Sequence, residues 1–152
     1  MINRLYAALR GEPVAAGKLK QDDLQIAVGA LLVEAATRDD VFEAEERKEI
    51  EALLASRFDL SAAETAELLQ DAEKAKHGSL ELFSFVRKVM KETDEVERIE
   101  VIEMLWDVAY ADGVLDAHED AMIRKVAGLL YVSDYDRGAA RRRVRERRGL
   151  GS

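Results

Sequence analysis

The sequence predicts an all-α, single-domain helical bundle of about seven or eight helices. Three observations predict it. Alanine, leucine, glutamate, lysine and arginine dominate the 152 residues, and these are strong helix formers. One proline and no cysteine leave few breaks, and they exclude disulfide staples, thiol nucleophiles and zinc–thiolate sites. Apolar residues recur at helical spacing between capping signals, and no run of four or more alternates convincingly like a strand. At 48% apolar, the chain has enough hydrophobic surface to build one sizeable core.

The elements follow in order. Ile2, Leu5, Tyr6 and Leu9 form one stripe of a short amphipathic helix ending at Gly11. Glu12 to Lys20, with Pro13 and Gly17, reads as a linker. Asp22 or Asp23 caps a long helix reaching about Arg38. It is apolar on nearly every side (Leu24, Ile26, Val28, Leu31, Leu32, Val33) and is expected at the centre. Asp39 and Asp40 break it.

The next helix starts near Glu43 and buries Ile50, Leu53, Leu54 and Phe58. Ser61 to Glu64 reads as a capping box opening a helix that runs to about Lys76. After Gly78, Ser79 caps a helix with an apolar face of Leu82, Phe83, Val86, Val89 and Met90. Asp94 to Glu97 is a second capping box. Its helix carries Ile99, Ile102, Leu105, Trp106 and Ala109 and is expected to end at Gly113, with Trp106 in the core. Asp116 to Glu119 opens a helix burying Ile123, Val126, Ala127 and Leu130. Ser133 to Asp136 caps a final arginine-rich helix.

The charge is unevenly spread. Net charge is −8, yet Arg137 to Ser152 holds seven arginines and one glutamate, leaving −14 on the first 136 residues. An acidic body suits cations or basic partners and repels nucleic acid. The basic tail lacks the interleaved aromatics of a stacking surface, so it is expected to lean on the acidic body. No nucleic-acid partner is expected. The longest near-apolar run, Ile26 to Val33, has eight residues, whereas a membrane span needs about 20. The start lacks the apolar core of a signal peptide, so a cytoplasmic location is expected.

A shift of 73 overlays residues 35–50 on residues 108–123. Six of sixteen positions match, among them Asp39/Asp112 and Glu46/Glu119, with Glu43 opposite Asp116 and Glu34 opposite Asp107. Two pseudo-symmetric acidic helix-turn-helix units are therefore expected. In the second, Asp116 and Glu119 lie three apart, so they share a helix face, and the turn brings Asp112 towards them. Such carboxylates form a hard oxygen site for calcium or magnesium. Asp39, Asp40, Glu43 and Glu46 offer the same arrangement in the first. The same acids also serve as helix caps, favoured at an N-terminus without any metal, and the spacing is not that of an EF-hand loop.

The segment Val108 to Glu119, with Asp112-Gly113 and Glu119 seven after the aspartate, resembles the signature of the TerB-like (tellurite resistance protein B) family. The resemblance covers roughly residues 20–135 and includes the more degenerate first unit. It implies a helical bundle with a duplicated acidic element, an acidic metal-associated surface, and a role in tellurite and chemical-stress responses. A similar domain occurs in membrane-anchored J-domain co-chaperones, but this chain has no His-Pro-Asp motif. Asp40 stands where the second unit has Gly113. The resulting division is 1–19 as N-terminal helix and linker, 20–136 as the TerB-like domain, and 137–152 as the basic C-terminal helix.

His77 and His118 lie too far apart in sequence, and with too few companions, for a zinc site. No phosphate loop, nucleophile elbow or His-Glu-x-x-His motif occurs, so no catalytic residue, organic cofactor or enzymatic activity is expected. A divalent-cation-binding stress protein is the first functional expectation. The alternative is a metal-free adaptor that uses the acidic face for an unknown protein partner, or its terminal helices for a peripheral membrane contact.

Overall fold

The computed structural model describes residues 23–37, 44–75, 79–111, 115 and 117–151. Among them run seven helices and no strand: α1 (Asp23–Ala36), α2 (Ala44–Phe58), α3 (Ala62–Ala75), α4 (Ser79–Glu92), α5 (Glu95–Ala109), α6 (Ala117–Leu129) and α7 (Asp134–Arg147). The helix predicted over Ile2 to Leu9 lies outside the described residues.

The all-round apolar α1 is the axis of the bundle. Leu31, Leu32, Ala30 and Ala35 are fully buried, and α1 packs against α2, α3, α4, α5 and α6. Gly29 sits where α3 comes closest. A methyl group there would meet the Ala72 Cβ at 3.1 Å, so the missing side chain is what lets α3 approach. α5 is the second buried helix and packs on α1, α2, α6 and α7. Trp106, as expected, is in the core, and its indole N–H donates to the Arg137 carbonyl at 3.1 Å across α5 and α7.

The capping signals act as the sequence implies. Ser61 and Glu64 exchange reciprocal hydrogen bonds at 3.1 and 2.9 Å, as do Asp94 and Glu97 at 2.9 and 2.8 Å. The Ser133 hydroxyl accepts from the Asp136 amide at 3.1 Å.

Two details differ from expectation. α5 ends at Ala109, four residues before Gly113, with Tyr110 as its C-cap. Bulky Tyr110 can close the helix because it is buried against the core. On α4, Phe83 is 41% exposed and does not share the buried face of Leu82, Val86 and Val89. Its position turns it out of the core, where the Lys125 ammonium lies 5.5 Å from its ring centroid.

Candidate functional site: the α5–α6 turn and its arginine clamp

The two acidic units have matching helix ends. α1 stops at Ala36 and α5 at Ala109, while α2 starts at Ala44 and α6 at Ala117, each pair offset by 73. Of the residues singled out from sequence, Asp39, Asp40, Glu43, Asp112 and Asp116 lie outside the described residues. Glu46 and Glu119 are each the third residue of their helix. Glu46 is half-buried, whereas Glu119 is only 3% exposed. A carboxylate so deeply withdrawn from water is costly unless charges or donors satisfy it, and Glu119 is engaged in this structure. Among the described residues, no three His, Asp or Glu side chains converge closely enough to hold a metal ion. His118 is exposed at the start of α6.

Directly before the α5–α6 turn lies an arrangement that sequence reasoning missed. Glu103 and Asp107, one helical turn apart on α5, face Arg143 and Arg147 of α7. Arg147 bridges both acids, at 2.8 Å to Glu103 and 2.8 Å to Asp107. Arg143 adds a 3.1 Å bond to Glu103. Arg148, just past α7, reaches Asp107 at 3.1 Å and Glu49 of α2 at 2.9 Å, tying three helices together. The Asp107 side chain is 6% exposed and accepts from both arginines, so each of its oxygens is used.

The aromatic residues extend this clamp. Arg141 donates to the Tyr110 hydroxyl at 2.6 Å and stacks near the Trp106 and Tyr110 rings, 5.7 and 5.9 Å from their centroids. Arg145 covers Tyr110 at 5.3 Å. Burial pushes the Glu103 carboxyl up, but the hydrogen bonds from Arg147 and Arg143 outweigh it and hold it below the usual carboxylate range.

The signal for this clamp was in the sequence as two i, i+4 pairs, Glu103/Asp107 and Arg143/Arg147, on separate helices. Nothing in a single sequence states that those two faces meet. Chemically, the clamp removes Asp107 from the set of free carboxylates near the turn.

No helix among the described residues is long and apolar enough to cross a membrane. No curated relative and no solved structure matches the chain. Residues 25–142 match the family described as Tellurite resistance protein TerB. That span runs from α1 into α7 and includes both acidic units. With most of its length matched and an all-helical fold, the chain belongs to the TerB family.

Proposed function

We propose that this TerB-family protein is non-enzymatic, that it binds a divalent cation, calcium or magnesium, at the turn between α5 and α6, and that it serves a tellurite or chemical-stress response. Asp112, Asp116 and Glu119 would supply the oxygen ligands. The observation that carries this proposal is the burial of Glu119, 3% exposed at the start of α6. The capping Glu97 of α5 is buried to the same degree, at 4% exposed, so the reading rests on that burial together with Asp112 and Asp116 lying within seven residues of Glu119. The equal offset of the helix ends supports treating the Asp39 unit as a related element, with Glu46 less buried and Asp40 in the glycine position. The Asp39 unit then has a weaker binding role or a structural one.

Calorimetric titration with calcium and with magnesium tests the proposal. Wild type should bind one of them, and Asp112→Asn/Glu119→Gln should lose that binding while keeping its helical circular dichroism. Equal, weak heats from both proteins would refute it. For the biological role, complementation of a tellurite-sensitive strain lacking the gene should succeed with wild type and fail with the double variant.

A further inference from the structure

An open cleft of about 350 Å³ lies between the start of α1 and the second half of α4, away from the acidic turns. Ile26 and Ala27 of α1 and Phe85 of α4 supply its apolar lining, and the Ser84 hydroxyl sits at its margin. Such a volume, with an apolar floor and a charged margin, suits a small amphiphilic ligand.

The charge of this cleft runs against that of the molecule. Arg87, Lys88 and Lys91 line it, opposed by one carboxylate, Asp23, in a body carrying a large excess of acid. Lys88 is already shared between Asp23 at 3.5 Å and Glu92 at 3.4 Å. The hydrogen bond to Glu92, with support from Asp23, raises its pKa above the ordinary lysine value, so it stays cationic. Arg87 and Lys91 form no ion pair among the described residues. They are exposed and lie four apart on α4, so they project from the same face. Two uncommitted cations beside an apolar floor match a ligand with an anionic head and an apolar chain.

We propose that the α1–α4 cleft binds a single-chain amphiphilic anion, its chain against Ile26 and Phe85 and its carboxylate or phosphate head between Arg87 and Lys91. A metal cation is excluded by the sign of the charge. The chain's own first 22 residues carry four basic and two acidic side chains, so they bring no net anion to the cleft. Nucleic acid would need a longer basic track and stacking aromatics. The ligand is a free amphiphile rather than a bilayer, because the two cations and the apolar floor span only residues 23–27 and 84–91, room for one chain and one head group.

The full chain, titrated with a fluorescent undecanoate probe and competed with decanoate, decyl phosphate and decanol, tests this. Decanoate or decyl phosphate should displace the probe, the stronger competitor identifying the head group, and decanol should not. Arg87→Glu/Lys91→Glu should weaken the anionic competitor by about tenfold or more, the scale expected for losing charge-assisted bonds. Arg142→Glu, an exposed α7 control, should leave it unchanged. Decanoate should also shift the backbone amide resonances of residues 84–91 in wild type, independently of any variant's folding. Equal competition by decanol, or undiminished binding by the charge-reversed protein, overturns the proposal. So does binding only to phosphatidylglycerol vesicles, which would assign the patch to a membrane surface.

Discussion

α1 and α5 are the two buried helices of this bundle, and they are held by different forces. α1 has two charged residues, Asp23 and Glu34, and packs against five helices, with eleven of its fourteen residues buried. α5 shares that core on one side but carries Glu103 and Asp107 on another. Its cover there is α7, with six arginines in fourteen residues. Hydrophobic burial therefore fixes α1, whereas the α5–α7 seam adds ion pairs and arginine–aromatic stacking to the burial of Ala140 and Val144. The bundle thus covers its two buried helices in two ways. The price of the ionic one is sensitivity to charge and pH.

The contrast can be broken first at α1. Leu31→Ala removes a fully buried side chain and should cost about 3 kcal/mol in urea denaturation, with little dependence on salt. At the seam, Asp107→Asn keeps the shape but removes the charge shared by Arg147 and Arg148. It should cost about 2 kcal/mol, because charge-assisted bonds to a buried carboxylate are lost. A cost equal to that of Arg143→Ala, which breaks only a half-exposed pair and should stay below about 1 kcal/mol, would show that burial of Asp107 does not matter.

The pH response separates the two regions further. The folded pKa of Glu103 lies below its unfolded value. Its contribution is thus complete above the unfolded value of about 4.3 and is lost as pH falls through the folded one. Glu103→Gln should therefore destabilise the protein at pH 7, and the difference from wild type should shrink towards pH 3. Glu100 has the opposite sign. Burial raises its pKa, and Arg57, 2.9 Å away, only partly offsets this. Its contribution is present below its unfolded pKa and is lost as pH rises through the folded one. An acid limb unchanged in Glu103→Gln would contradict the ionic account of the seam.

The smallest effect is expected at the far end of α6. Tyr131 closes that helix with φ of 57°, and the Val132 amide donates to the Ala127 carbonyl at 2.9 Å. Glycine is the usual residue in this left-handed cap, and the Tyr131 side chain is 81% exposed. Tyr131→Gly should therefore leave stability unchanged or raise it, by up to about 1 kcal/mol in thermal unfolding. A loss of more than that would mean the tyrosine ring contributes packing.

Most of the bundle was legible because its signals are local. The apolar stripe of α1, the boxes at Ser61 and Asp94, and the core position of Trp106 follow from spacing within one helix. The end of α5 was misplaced because Gly113 is the stronger local stop signal. The helix instead ends where Tyr110 can be buried and capped by tertiary contacts. Phe83 misled for a related reason: its spacing fits the apolar stripe, but its neighbours place it at the rim, under Lys125. The Asp107 clamp was not legible, since it joins residues 40 and 41 apart whose helices must first be known to touch. In the candidate cation site, sequence spacing picked out Glu119 as a ligand. Only the structure revealed that it is 3% exposed while Glu46, at the same offset in α2, is half-buried.

The most direct test uses terbium, a luminescent stand-in for calcium with the same preference for oxygen ligands. Trp106 and Tyr110 sit at the end of α5 and can sensitise an ion bound in the following turn. Excitation of these aromatics should give terbium emission in wild type and in Asp39→Asn/Glu46→Gln, displaced by calcium, and none in Asp112→Asn/Glu119→Gln. Emission that survives in Asp112→Asn/Glu119→Gln, or that is lost only in the Asp39→Asn/Glu46→Gln protein, would contradict a cation site at the α5–α6 turn.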